Sequence, residues 1–246
     1  MIWLLAVAVL VGVLVGSVGV GGILLIPALN LLAALSIQAS MATALFTFIF
    51  TGIVGTFFFQ RRGSIDWAVT VPVCAGGALF GFVGAWANAK LDAQVLSMIL
   101  AALIVLVGAY TLFTGTKRLS PTFHGRPRRQ KLLLFCIGTV TGFASGLTGV
   151  GGPAISVPMM VLFGFPALTA IGTSQVIQIL AAVSGSIGHL AHGRIDLRLA
   201  ALLTAFEIIG VWIGVHVAHA VDARLLRRAV AALCILVGAG LIVHML

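Results

Sequence analysis

The feature that most constrains this chain is the length of its stretches without charge. Residues 1–60 contain no Lys, Arg, Asp or Glu, and the same is true of residues 132–193. Only 8% of the 246 residues are charged and 61% are hydrophobic, whereas a soluble domain carries roughly 25% charged residues. The composition therefore excludes a soluble domain, a secreted disulfide scaffold and a disordered regulator. It predicts an all-α polytopic membrane protein.

The net charge of +9 is distributed as in a membrane protein rather than a nucleic-acid-binding protein. Lys and Arg cluster where hydrophobic runs end, as do loop charges that orient spans and contact anionic lipid. The polar stretch 116–131 has six basic residues and no acid, which predicts a cytoplasmic linker. We expect a multi-pass protein of the bacterial inner membrane whose surroundings are lipid, with no nucleic-acid partner, metal or cofactor.

An internal repeat divides the chain into two halves. Shifted by 130 residues, positions 12–112 fall on positions 142–242, and punctuating residues coincide. The coincident positions include 19–22 with 149–152, Thr43 with Thr173, Asp66 with Asp196, and Asp92 with Asp222. This pattern predicts a first transmembrane repeat at 1–115, the basic linker at 116–131 and a second repeat at 132–246.

Each half reads as one long broken segment followed by three spans. The long apolar runs, 1–34 and 132–165, each contain Gly-Val-Gly-Gly and exceed the roughly 20 residues that one helix needs to cross the hydrocarbon. The spans that follow are predicted near 39–60, 67–89 and 94–115, then near 169–190, 198–220 and 225–246.

The topology depends on how the broken segments lie in the membrane. A single crossing gives parallel repeats, whereas a hairpin gives inverted repeats, and the distribution of cations does not decide between them. Two half-length helices around a glycine tip favour a hairpin and inverted repeats, an arrangement common in transport folds.

The glycine motifs also predict an anion site. A broken membrane helix leaves backbone N–H groups without partners, and a helix N-terminus presents these donors with about half a positive charge. The backbone candidates are Gly19, Gly21, Gly22, Gly149, Gly151 and Gly152. The alternative is that these glycines only allow close helix packing; their duplication within a helix break favours the site.

Polar side chains near the motifs supply further candidates for substrate binding. They are Thr43, Thr173, Ser174, Gln175 and Gln178. Glu207 is an acid well inside a predicted span, which suggests proton coupling, with a helix–helix hydrogen bond as the structural alternative. His189 lies near a span end, where it either senses protons or sits at the interface.

The motifs resemble those of the TauE/SafE family of sulfite and organosulfonate exporters. The likeness rests on Gly-Val-Gly-Gly-x4-Pro at 19–27, Gly-Val-Gly-Gly-x5-Pro at 149–158, the sequence Ala-Ile-Gly-Thr-Ser at 170–174 and the His-to-Asp turn at 189–196. The first half departs from it, with Thr43-Ala44 in place of Thr-Ser and no His in its turn. The resemblance implies a small-anion transporter more firmly than any one anion.

The leading hypothesis is a secondary transporter of a sulfur-containing anion such as sulfite, sulfoacetate or a similar organosulfonate. It would hold the anion near the midplane through the two glycine breaks and use protons as the coupling ion, rather than act as an enzyme. A passive anion channel is the alternative within transport. An intramembrane hydrolase built on Ser145 and His189, or a scaffold, remains a more distant reading, and a homo-oligomer stays open.

Overall fold

The computed structural model describes residues 2–19, 21–113, 121–123, 125–190 and 195–220. Five of the helices in these ranges are long and apolar enough to cross a membrane, namely Ile37–Arg61, Trp67–Lys90, Pro127–Thr148, Ala167–Leu190 and Leu197–Ala218. The prediction of an all-α polytopic membrane protein is confirmed. The described helices are α1 Ile2–Val18, α2 Gly22–Leu32, α3 Ile37–Arg61, α4 Trp67–Lys90, α5 Ala93–Phe113, α6 Pro127–Thr148, α7 Pro153–Leu162, α8 Ala167–Leu190 and α9 Leu197–Ala220.

Five of the six predicted spans coincide closely with α3, α4, α5, α8 and α9; the sixth, 225–246, lies outside the described residues. Helix α6 begins at Pro127, inside the stretch assigned to the linker, and Pro127 occupies the first helical turn, where proline is well tolerated. Hydrophobicity identifies only the apolar part of this helix, so its basic first turn could not be predicted as helical.

Both long apolar runs break at their glycine motifs, as predicted. Gly19 (φ 78°), Gly149 (φ 68°) and Gly151 (φ 86°) adopt left-handed backbone conformations, which residues other than glycine reach only with strain. At the first break, a methyl group on Gly21 would overlap the backbone of Val11 and Val15. The chain therefore turns back onto α1 at this point.

Glycines hold two pairs of helices at backbone contact. Helix α1 packs on α9, and α6 packs on α4. Gly12 and Gly16 of α1 lie against the carbonyls of Glu207 and Val211 in α9. In the other pair, Gly142 and Gly146 lie in the same way against Gly77 and Gly81. Residues that make matching contacts are 130 positions apart, so the offset seen in the sequence recurs in the packing. Helices α3 and α8 pack on each other between these pairs.

Gly142→Leu is expected to destabilise the protein, because a methyl group at this position would already overlap the backbone of Gly77. Overpacking of this kind costs about 1–3 kcal/mol. The thermal unfolding midpoint in detergent should fall by several degrees. Val140→Leu is the matched control, since Val140 lies on the exposed face of the same helix. Equal midpoints for the Gly142 variant and the unaltered protein would contradict the close contact.

Candidate functional site: the meeting point of the glycine breaks

The two glycine breaks meet in the middle of the protein. A methyl group on Gly22 would overlap the carbonyl oxygen of Val150, and one on Gly19 would lie 3.3 Å from Cβ of Pro153 and 3.4 Å from Oγ of Ser174. Gly19, Gly22 and Ser174 are all buried. The structure thus brings the start of α2, the start of α7 and the middle of α8 to one point.

A small void, with about 150 Å³ of space not filled by atoms, lies at this meeting point. It is too narrow to admit a sphere the size of a water molecule. Its walls come from both glycine breaks and from the two central helices, α3 and α8. The lining residues are Val15, Gly19, Gly22, Phe48, Val150, Pro153 and Gln178.

The second break presents a group of unpaired backbone donors. Gly149 N–H bonds to the carbonyl of Ser145, and Ile155 and Ser156 N–H bond to that of Gly152. The amides of Val150, Gly151, Gly152 and Ala154 have no acceptor among the described residues. The N-terminus of a helix carries partial positive charge, so the start of α7 can receive an oxyanion through these amides.

Two predicted polar side chains of α8 reach the void or its wall. The Gln178 Nε2 atom donates to the carbonyl of Phe48 (3.0 Å) and to Oγ1 of Thr51 (2.8 Å). Gln175 Nε2 donates to the carbonyl of Val15 (3.1 Å). In this closed arrangement these amides are bonded to α3 and α1, and an anion would have to replace such contacts.

Other predicted residues lie away from the void. Thr43 Oγ1 accepts a hydrogen bond from the amide of Asp196 (3.1 Å), just before α9 begins. Thr173 shares a hydrogen bond with Thr70 (2.9 Å) in the first turn of α4. Gly149 packs against the backbone of Met41. The two threonines thus join the central helices to the starts of α9 and α4.

Glu207 is buried between α1, α3 and its own helix α9, with its backbone against Gly12 of α1. Thr47 Oγ1 is 2.9 Å from the carbonyl of Ala44 and 3.3 Å from Glu207 Oε1. Thr47 Oγ1 is the donor in both contacts, and because a hydroxyl has one proton it serves one of these two acceptors at a time. The second carboxyl oxygen, Oε2, has no partner among the described residues.

Among the described residues, the helices packed against Glu207 offer no compensating charge at this depth. Helix α1 contains no ionisable side chain, and α3 has one cation, Arg61, in its last turn. Arg62, which follows α3, donates to the carbonyl of Val215 in α9 (3.2 Å). A buried ionised carboxylate without a compensating charge is costly.

His189 and Asn88 support the second break from outside. The ring nitrogen Nε2 of His189 lies 3.1 Å from the carbonyl of Gly146, and Asn88 Nδ2 donates to that of Leu147 (2.7 Å). These carbonyls belong to the last turn of α6, where helical partners run out. The hydroxyl of Ser145 has no partner among the described residues, so Ser145 and His189 do not form a hydrolase pair.

Two residues of the site region, Phe48 and Thr47, were not predicted as site residues from the sequence. Phe48 is 1% exposed, lines the void and stands 130 residues before Gln178. Projecting the second-half candidates onto the first half would have identified it. In the sequence, Thr47 looks like any other threonine of a membrane helix. Its role becomes visible only from its contact with Glu207 in the structure.

Comparison with known proteins agrees with this architecture. Residues 4–241 match the family described as sulfite exporter TauE/SafE. No solved structure matches the chain.

Several curated proteins of Bacillus subtilis (strain 168) are similar over nearly the whole chain. The probable membrane transporter protein YunE is 26% identical, with 91% of this chain and 90% of YunE covered. YdhB, described in the same words, is 25% identical, with 92% and 94% covered. YjnA, also so described, is 27% identical, with 94% and 96% covered. With a family match that spans both glycine breaks, the chain belongs to the sulfite exporter TauE/SafE family of multi-pass membrane transporters.

Proposed function

We propose that the protein is a proton-coupled secondary transporter of a small sulfur-containing anion across the bacterial inner membrane. Sulfite, sulfoacetate and similar organosulfonates are the proposed substrates. The observation that carries the proposal is the meeting of the two glycine breaks, where four amides of the second break have no acceptor among the described residues. The family to which the chain belongs supports the same substrate class.

The proposed binding groups are the backbone of the breaks and the side chains that reach them. Gly151 and Gly152 present amide donors, Gly19 and Gly22 allow close approach, and Ser174 and Gln178 add polar side chains. Gln175 borders the void through its bond to Val15. Thr43 and Thr173 fit the proposed site less well, because their hydroxyls bond at the starts of α9 and α4.

The proposed architecture is two repeats, 1–115 and 132–246, of inverted topology. The matched glycine contacts of the α1–α9 and α4–α6 pairs support the duplication. The reversal of the chain at Gly21 supports a hairpin, and a hairpin in each half leaves each repeat with an odd number of crossings. Substrate sites at the interface of inverted repeats are a recurring arrangement in secondary transporters.

Glu207 is the proposed proton-coupling residue. Thr47 donates to its carboxyl oxygen Oε1, and Thr47 adjoins Phe48 in the wall of the void. Proton release from Glu207 would leave a buried charge unless α1, α3 and α9 rearrange. This requirement would link the proton to the position of the first break.

The test is anion flux into proteoliposomes containing the full chain, with sulfite, sulfoacetate and sulfate compared with and without an imposed pH gradient. We expect selective flux of a sulfur anion that follows the gradient. Selective flux that ignores the gradient would indicate a passive anion channel and overturn the coupling. A well-folded protein that moves none of the three anions would overturn the proposed substrate class.

A further inference from the structure

The ring of Phe48 packs on both glycine breaks at once. A methyl group on Gly22 would lie 2.8 Å from Cζ of this ring, and one on Gly151 would lie 3.0 Å from its Cδ2. Phe48 comes from the middle of α3 and is 1% exposed. The ring therefore lies over the starts of both short helices, α2 and α7.

An anion on the proposed amide donors would lie next to this ring. The amide of Gly151 is one of the proposed donors, and the ring rests on Gly151 itself. The void beside the ring does not admit a water-sized sphere.

The same turn of α3 holds the nearest polar side chain. Gln178 Nε2 donates to the carbonyl of Phe48 and to the hydroxyl of Thr51. Movement of residues 48–51 would therefore withdraw the ring and release the Gln178 amide together. Phe48 and Gln178 occupy matching positions of the two halves. The first half therefore places an aromatic ring at the void where the second half places a hydrogen-bond donor.

We propose that Phe48 occludes the anion site in the closed conformation and sets the largest anion that the site accepts. This inference rests on the proposed function and names the residue that determines specificity within it. Substrate enters only when the ring leaves the glycine breaks, and the space that the ring vacates becomes part of the pocket.

The first test measures access to the site without using a substrate. Ser174→Cys is introduced into a chain whose native cysteines, Cys74, Cys136 and Cys234, are replaced by alanine, and its reaction with a small charged methanethiosulfonate is followed. Minor open states are typically populated at roughly 0.1–10%. Phe48→Ala should therefore raise the labelling rate about tenfold or more, and Phe48→Leu should give an intermediate rate.

Phe46→Ala is the matched control for access. Phe46 lies on the same helix but packs against Phe50, with 5.6 Å between ring centroids. We expect its labelling rate to equal that of the Ser174→Cys parent. Equal labelling of the parent, Phe48→Leu and Phe48→Ala, all eluting as monodisperse protein, would overturn the proposal.

The second test measures size selection in proteoliposomes with sulfite and a series of alkanesulfonates of increasing length. Phe48→Ala should extend transport to longer alkanesulfonates, whereas Phe46→Ala should retain the original limit. Faster labelling without flux of any sulfur anion would retain the occluding role and reject the proposed substrate class. An unchanged size limit in a transporting Phe48→Ala protein would reject the specificity role.

Discussion

Gly151→Ala is expected to abolish anion transport while leaving a folded, inserted protein. The position has φ 86°, and its added methyl group would lie 3.0 Å from the Phe48 ring. A non-glycine residue in the left-handed region costs roughly 1–2 kcal/mol, which shifts the backbone that presents these donors. Flux in proteoliposomes at matched protein content should fall to the level of empty vesicles, and Gly151→Val should behave in the same way.

Gly63→Ala separates backbone strain from disruption of the site. Gly63 also has positive φ, 65°, but a methyl group there would meet nothing within 4 Å. Its variant should show a similar loss of thermal stability and normal flux. Normal transport by well-folded Gly151→Ala and Gly151→Val proteins would remove the anion site from the second break.

Glu207→Gln is expected to make anion flux independent of an imposed pH gradient. The side-chain oxygen of glutamine can accept the hydrogen bond from Thr47 as the carboxyl oxygen does, so packing between α1, α3 and α9 should survive. The amide cannot exchange a proton over the physiological range. The measurement is initial flux across a series of pH gradients, in the unaltered protein and in the variant.

Asp196→Asn is the control for loss of a carboxylate. Asp196 accepts a hydrogen bond from the amide of Leu199 (3.0 Å) at the start of α9, and an asparagine oxygen can accept the same bond. This variant should keep the pH dependence of the unaltered protein. A Glu207→Gln protein whose flux still follows the gradient would return Glu207 to a purely structural role.

The positions of the helices and of their breaks could be predicted from the sequence, whereas the pairs of helices that pack against each other could not. Apolar length is sufficient to identify a membrane span, and Gly-Val-Gly-Gly is sufficient to locate a break, so α3, α8 and both breaks lie where expected. The pairing of α1 with α9 depends on shape across the whole chain, which no local pattern encodes. Thr43 illustrates the difference, since its partner is the amide of Asp196, 153 residues away.

The role of each individual glycine could not be predicted from the sequence either. Gly12, Gly16, Gly142 and Gly146 bring helices into backbone contact, while Gly22 and Gly151 face the Phe48 ring. Both uses demand the absence of a side chain, so composition cannot separate them. The two breaks that carry the duplicated motif meet in the structure, but the residue that fills their meeting point was an ordinary phenylalanine in the sequence.

The pairing of α1 with α9 has a consequence for biogenesis. Helix α1 is the first described helix to leave the ribosome, but the surface that covers its Gly12 and Gly16 is synthesised last among the described helices. While the residues between α1 and α9 are synthesised, the glycine face of α1 is in contact only with lipid or another protein. Domains generally fold as they are translated, but here the first half must wait in the membrane for the second. Nascent chains shortened before α9 should therefore be substrates for membrane quality control, even though they contain every span of the first half.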